Sequence, residues 1–371
     1  MSNIKLVDIC DYIITGKIDA NKACDDGIYP FFTCSEHPLR INTAAYDDDV
    51  IIIAGNGAFY MFRYQGKFNA YQRNYILRIS ENADKNYVYY RLLMELQSFR
   101  ARSRGSIIKF LTIGMIENVA IANIPKIRQT QLAAPLLALD SKIEHNKRMI
   151  ERLEKQAQLL YDYWFLQFDF PDENGRPYRS SGGKMVWNET LKREIPAGWK
   201  VKKLSNLIET LKTGKLDANA AEKDGKYPFF TCSAEPMRIN SFSYDGDVII
   251  LSGNGEFYLF DYNGRFDVYQ RNYVIRPKKG VCKQYLYQEI ARNIRLLKSQ
   301  AQGSIIKFLT KGMIEKIPVF DLDWKSHRVL EEVLRNLFAR CSCLKKEIEV
   351  LTAQRDYLLP LLMTGQVRVE A

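Results

Sequence analysis

Residues 15–35 read TGKIDANKACDDGIYPFFTCS, and residues 213–233 read TGKLDANAAEKDGKYPFFTCS, an offset of 198. Held at that offset without gaps, residues 15–78 and 213–276 agree at 41 of 64 positions. The next 26 positions agree at only 3, after which GSIIKFLTIGMIE (105–117) and GSIIKFLTKGMIE (303–315) agree at 12 of 13. A repeat this long is a duplicated domain, not a solenoid unit. Uniform drift would erode both copies evenly. Either a shared task has held two stretches nearly fixed, or local recombination between the copies has done so.

Residues 118–165 retain 9 of 48 identities, but their spacing is regular. Leu132, Leu136, Leu139, Ile150, Leu153 and Leu160 match Leu330, Leu334, Leu337, Ile348, Leu351 and Leu358. Alternating steps of four and three are the seam of a coiled coil. The intervening seam positions are Ile143, Asn146 and Ala157 in one copy and Cys341, Leu344 and Arg355 in the other. The pattern predicts a long helix in each copy, about 57 Å for residues 128–165 at the α-helical rise. Pro135 is expected to mark its first turn or a kink. So narrow a stripe needs a partner, and the chain carries one in its own duplicate. Asn146 would cost stability and penalise other registers.

The 371 residues hold 54 Lys+Arg against 43 Asp+Glu, a net charge of +11, and 46% apolar residues. That length favours two domains, and that apolar content argues against disorder. No apolar run approaches a membrane span, and MSNIKLVDIC has no signal-peptide pattern. Seven irregularly spaced cysteines and only His37, His145 and His327 disfavour a zinc site or disulfide framework. A reduced, cytoplasmic chain is expected. Between the copies, residues 168–199 are rich in Gly and Pro without a sustained period, which is connector chemistry. The copies themselves predict mixed α and β: strands over 46–53 and 59–64, turns at 55–57 and 65–66, and a helix over 91–103.

VIIIAGNGAF resembles a strand leading into a glycine-rich cofactor loop, but the next residues, FYMFRYQGKF, continue as strand and turn, so a hairpin is favoured. Neither a phosphate-binding GxxxxGK[ST] loop nor an adenine-methyltransferase Asn-Pro-Pro or Asp-Pro-Pro tetrapeptide occurs. Asp47, Asp49, Asp245 and Asp247 raise the alternative of a metal-dependent nuclease. Retained polar residues point instead to DNA. YQRNY supplies Gln72, Arg73 and Asn74, and again Gln270, Arg271 and Asn272. Arginine suits guanine, and glutamine or asparagine suits adenine, in the major groove. Arg40 with Asn42 (Arg238 with Asn240) add a second set, Asn56 (Asn254) sits at a turn tip, and Lys17 (Lys215) adds a cation. Ser106 and Lys109 (Ser304 and Lys307) suit phosphate contacts. In a strand, however, Gln72 and Asn74 could not share a face with Arg73, and Phe31-Phe32 with the tyrosines would be core.

Two such domains, each followed by a long helix, with a linker containing PYRSSGGKMVWN…REIPAGW and the closing LLPLLMTGQVRV, resemble the specificity subunit of type I restriction-modification enzymes. The resemblance covers essentially the whole chain. It implies an α+β fold in which two target recognition domains are joined by an antiparallel coiled coil with pseudo-two-fold symmetry. The corresponding boundaries are 1–126 (domain 1), 127–168 (spacer helix), 169–198 (linker), 199–323 (domain 2) and 324–371 (second spacer helix). It implies a non-catalytic chain that reads double-stranded DNA and docks two adenine-methyltransferase subunits, with restriction subunits in the full complex. No cofactor is expected here; S-adenosylmethionine belongs to the methyltransferase partner. The family's two domains usually differ, whereas these nearly coincide, so a near-palindromic bipartite target is expected. Differences at Glu36/Ala234, His37/Glu235, Ala58/Glu256 and Arg63/Asp261 could make the halves unequal. A stand-alone DNA-binding regulator, a helical scaffold, and the specificity subunit of a related enzyme outside type I remain alternatives.

Overall fold

The computed structural model describes residues 2–102, 110–300 and 308–367. The chain forms two compact units, Met1–Asn146 with Lys346–Ala371, and Lys147–Lys345. Each unit therefore combines one sequence copy with part of both long helices.

The first unit is organised by a six-stranded sheet in the order Cys10–Thr15, Asn74–Ile79, Tyr46–Ala54, Met61–Ala70, Tyr29–Phe32, Leu39–Ile41. All neighbours run antiparallel except Tyr29–Phe32, which pairs in parallel with Met61–Ala70. The run Val50-Ile51-Ile52-Ile53 is continuous because both faces of its strand are covered. Ile51 and Ile53 face one core with Leu77, Tyr87, Val88 and Tyr90, whereas Val50 and Ile52 face another with Phe32, Phe68 and Ile76. Phe31 and Phe32 are core, as the sequence suggested. The second unit repeats the order over Ile208–Thr213, Asn272–Pro277, Tyr244–Ser252, Leu259–Val268, Tyr227–Phe230 and Met237–Ile239.

The helices, in chain order, are α1 (Lys85–Arg102), α2 (Ile113–Glu117), α3 (Lys126–Tyr161), α4 (Lys283–Gln300), α5 (Lys311–Glu315) and α6 (Arg328–Met363). The Thr112 and Thr310 hydroxyls cap α2 and α5 by accepting from the Met115 and Met313 amides at 3.3 Å. Three local expectations are corrected. There is no turn at 65–66: Met61–Ala70 runs straight through, with Gly66 opposite Asp48 at φ +123°. Helix α1 begins at Lys85 rather than 91. Pro135 does not mark the first turn, since α3 begins at Lys126 and carries the proline inside, the place where a kink is the other expectation.

The two long helices pair antiparallel within each unit. In the first, Asn146 meets Glu347 while Asp140 meets Arg355, so numbering falls on one helix as it rises on the other. Leu132, Ala133 and Leu136 share a core with Leu359, Leu362 and Met363, and that core is continuous with the sheet. In the second, Glu154 meets Lys345, and Ala157 and Tyr161 join Leu330 and Leu334 in the core of the second sheet. Leu132, Leu136, Ile143, Asn146, Ile150 and Leu153 are buried, and Leu139 and Leu160 are partly so. On α6, Leu330 and Leu334 are buried; Leu337, Leu344, Ile348, Leu351 and Leu358 are half-buried. The stripe drifts near the C-terminal ends: Tyr161 is buried beyond half-exposed Leu160, and Leu359 beyond Leu358. A straight helix drifts from a seven-residue repeat in this way.

The connector is ordered. Strands Met185–Asn188 and Arg193–Pro196 form a hairpin, and Phe170 stacks between Tyr178 (4.8 Å) and Trp199 (5.1 Å). Among the described residues, no helix is long and apolar enough to cross a membrane.

Candidate nucleic-acid interface

At one end of the first sheet, five chain segments are laced together by backbone hydrogen bonds. The Gly16 amide donates to Asn74 O (3.0 Å), Gln72 to Ile18 O (3.0 Å) and Tyr71 to Phe32 O (2.9 Å). The Gly55 amide donates to Arg73 O and the Leu111 amide to Gly55 O, both at 2.8 Å. Two glycines permit this crowding. A Cβ on Gly16 would lie 2.3 Å from both Ala70 O and Tyr71 O, and one on Gly55 would lie 2.4 Å from Arg73 O. Gly214 and Gly253 stand under the same constraint, and the same bonds recur: Gln270 to Leu216 O (2.8 Å), Gly253 to Arg271 O (2.9 Å), Leu309 to Gly253 O (2.7 Å). Phe59 and Phe257, at φ +52° and +53°, hold the adjoining turn in the left-handed region, a cost that only firm surroundings sustain.

Gln72 and Arg73 form a turn between strands, so strand alternation does not separate them, and both are exposed. Lys17 is exposed beside them, and Asn56 is half-exposed on the neighbouring turn. The Arg73 charge reaches Cys34: burial raises that thiol's pKa, while the Asn56 and Gly55 amides and Arg73 pull it down. Cys232 lies under the same influences from Asn254, Arg271 and Gly253. A shallow depression of about 590 Å³ joins Lys17 to Asn42 and is also lined by Lys22 and Ile41. Lys215, Gln270, Arg271 and Asn240 are exposed and Asn254 half-exposed in the second unit, where Asn240 Nδ2 donates to Glu222 Oε2 at 2.5 Å. Arg40 and Arg238 are exposed on the outer hairpin. There they brace their own loops, Arg40 on Ile28 O (3.3 Å) and Arg238 on Gly225 O (3.0 Å) and Lys226 O (2.9 Å).

Two site expectations are corrected. Asn74 and Asn272 are fully buried and cannot reach a base edge. Asn74 Nδ2 donates to Thr33 O at 3.1 Å and its Oδ1 accepts from Cys34 Sγ; Asn272 donates to Phe230 O and Thr231 O. Arg63, whose difference from Asp261 is expected from sequence to make the halves unequal, is turned to the long helix: its guanidinium bonds Asp140 on α3 at 3.2 Å and lies 4.4 Å over the Tyr89 ring. Its counterpart Asp261 pairs with Lys283 instead. Glu36, His37, Ala58 and their counterparts Ala234, Glu235 and Glu256 are exposed, where differences could alter recognition. Ser106, Lys109, Ser304 and Lys307 lie outside the described residues. Sequence reasoning passed over Thr33 and Ser35, whose hydroxyls lie 2.7 Å apart, and exposed Phe110 and Phe308. All four stand inside the retained stretches, which was the available signal.

Most of the acidic run is paired within the chain. Asp49 pairs with Lys85, Asp48 accepts from Tyr12 (2.8 Å) and Arg78 (2.9 Å), Asp247 pairs with Lys283, and Asp245 with Arg265 (3.4 Å). Asp49, Asp245 and Asp247 are thus each paired with a cation of the chain itself.

One polar strand-end surface, built twice and seated each time on paired helices, defines a duplicated recognition module. The family model for the type I restriction modification DNA specificity domain matches residues 1–155 and 196–320, and the chain belongs to that family. The specificity subunit of the type I restriction enzyme EcoDI from Escherichia coli is 37% identical over 181 residues, covering 48% of this chain and 40% of that subunit. The chain thus matches only two fifths of the length of that relative. The specificity subunit of the type I enzyme MjaIX from Methanocaldococcus jannaschii is 25% identical over 316 residues, covering 76% and 69%. The crystal structure of a type I restriction-modification S subunit from M. genitalium shares the fold, with a TM-score of 0.60 at 19% identity over 97% of this chain and 95% of that one.

Proposed function

We propose that this chain is the non-catalytic specificity subunit of a cytoplasmic type I restriction-modification complex, reading a bipartite, near-palindromic DNA target and docking adenine-methyltransferase subunits. The observation that carries this reading is the duplicated strand-end surface of Lys17, Gln72 and Arg73, repeated as Lys215, Gln270 and Arg271. Arginine and glutamine held side by side at a rigid turn match the donor and acceptor edges that bases present in the major groove. Lysine nearby suits the phosphates that position the protein. The likeness of the two surfaces favours the same short half-site twice. Each recognition domain rests on the early part of one long helix and the late part of the other. Two equal domains suit a target whose like half-sites lie on opposite strands. The assigned boundaries are recognition over 1–126 and 199–323, spacing and docking by 127–168 and 324–371, and connection by 169–198.

Expression with its neighbouring subunits tests this reading. The chain is expected to co-purify with two methyltransferase subunits that bind S-adenosylmethionine, and with restriction subunits in the full complex. A chain that binds an operator-like duplex alone, with no methyltransferase, would favour the regulator. A methyltransferase partner fused to its own nuclease would favour the enzyme outside type I.

A further inference from the structure

Phe110 and Phe308 are each 59% exposed. They stand at the same place in the two copies, within the stretch whose one difference is Ile113 against Lys311. Four exposed isoleucines of the first copy meet lysine in the second, Ile14/Lys212, Ile28/Lys226, Ile127/Lys325 and that pair, whereas exposed Met115 meets Met313 and exposed Leu39 meets Met237. An exposed apolar side chain can be exchanged for a charged one at little cost to folding, and at these four positions the copies differ in that way. The phenylalanine is the same in both copies although more than half of it faces solvent, so core packing does not account for it.

The backbone beneath each ring is pinned from three sides. Asn56 and Phe110 form an antiparallel bridge, as do Asn254 and Phe308. The next residue, buried Leu111, donates to Gly55 O at 2.8 Å and accepts from the Tyr75 hydroxyl at 2.7 Å; Leu309 does the same with Gly253 (2.7 Å) and Tyr273 (2.8 Å). Gly55 in turn donates to Arg73 O, and Gly253 to Arg271 O. One hydrogen-bonded net therefore fixes the ring's Cα relative to the turn that carries glutamine and arginine. A rigid aromatic side chain beside bidentate polar groups has the chemistry of an apolar wedge, which enters a base step and is repaid by added contact.

We propose that Phe110 and Phe308 are base-contacting wedges, each inserting its ring at a base step of the half-site addressed by Arg73 or Arg271. The proposal rests on the DNA-reading function above and adds a residue and a mode of contact to it.

The test uses the chain purified with its accompanying subunits, and duplexes carrying the methylated motif of its host with 2-aminopurine at successive half-site positions. Wild type is expected to raise 2-aminopurine fluorescence at one step. The double variant F110A/F308A should lose that signal and about tenfold or more in affinity for the motif, while its Tm and its binding to unrelated duplex stay unchanged. F110W/F308W should restore the signal. The proposal is overturned if the alanine variant binds the motif as wild type does, or if wild type gives no fluorescence change at any step. A wild type that prefers no duplex would remove the DNA reading itself, an outcome distinct from either.

Discussion

Arg63 Nη2 lies 3.2 Å from Asp140 Oδ2, tying the first recognition domain to helix α3. The same carboxylate accepts from the Tyr90 hydroxyl at 2.7 Å and from Arg355 on α6 at 3.1 Å. At the second domain the equivalent positions are Asp261 for Arg63, Phe338 for Asp140, Gln288 for Tyr90 and, on the first long helix, Ala157 for Arg355. There Asp261 turns to Lys283, and Phe338 meets the Tyr287 ring at 5.0 Å. The two polar strand-end surfaces are alike, but the joints between sheet and helices use different chemistry.

Asp140→Ala should therefore deprive the Arg63 guanidinium and the Tyr90 hydroxyl of their carboxylate, while Arg355 keeps Asp356 at 2.8 Å. The groups are about a fifth exposed, so the loss is put at ~1–3 kcal/mol, below the figure for a fully buried pair. Chemical denaturation measures it. An unchanged midpoint would mean that the joint is held by apolar packing alone.

Arg73→Ala and Asn74→Ala are adjacent substitutions with different expected consequences. Removing exposed Arg73 should cost less stability than removing Asn74 and should abolish or relax reading of one half-site. Removing Asn74 unseats buried hydrogen bonds to Thr33 and Cys34, and should cost about 2 kcal/mol of stability. A greater loss of stability in the first variant than in the second, or wild-type stability in the second, would reverse these assignments.

This pair also marks the limit of the sequence. Identity at a fixed offset revealed two copies, and apolar spacing revealed two helices, because both follow from local patterning. Whether YQRNY was strand or turn depended on the Gly55 amide donating to Arg73 O and the Gln72 amide donating to Ile18 O, partners far away in the chain. The unbroken strand through Gly66, the proline inside α3 and the helix-facing role of Arg63 likewise depend on tertiary contacts. Nothing in the sequence marks Phe110 as exposed, because phenylalanine is among the residue types most often buried and its type alone points to the core.

Asn146 is fully buried, its Nδ2 donating to Glu347 at 2.9 Å, while its Oδ1 has no hydrogen-bond partner among the described residues. The equivalent position in the second copy is Leu344. Asn146→Leu is expected to raise stability by about 1 kcal/mol, since an unsatisfied polar atom leaves the seam. A clear fall in Tm would show that the Glu347 bond outweighs that penalty.

Glu289 on α4 is buried against Tyr285, whose hydroxyl donates to it at 2.9 Å. Burial pushes its pKa up to about 7 from 4.5, against the opposing pull of Tyr285, Tyr161, Arg292 and Arg193. A carboxyl whose folded pKa is raised binds its proton more tightly in the native state. Its favourable contribution is thus complete below pH 4.5 and is lost as pH rises from there through about 7. The loss is of the order of ~3 kcal/mol. Glu289→Gln should flatten this part of the stability profile and stabilise the protein at pH 8. A variant profile parallel to wild type would show that Glu289 ionises normally.

The central claim is that one recognition surface is used twice on DNA. Methylome sequencing of a strain that carries this chain and its partner subunits, compared with one lacking the chain, tests it most directly. The account predicts an adenine-methylated motif of two short half-sites, identical or differing by about one base and inverted across a fixed spacer. A methylated motif with unrelated halves would contradict it.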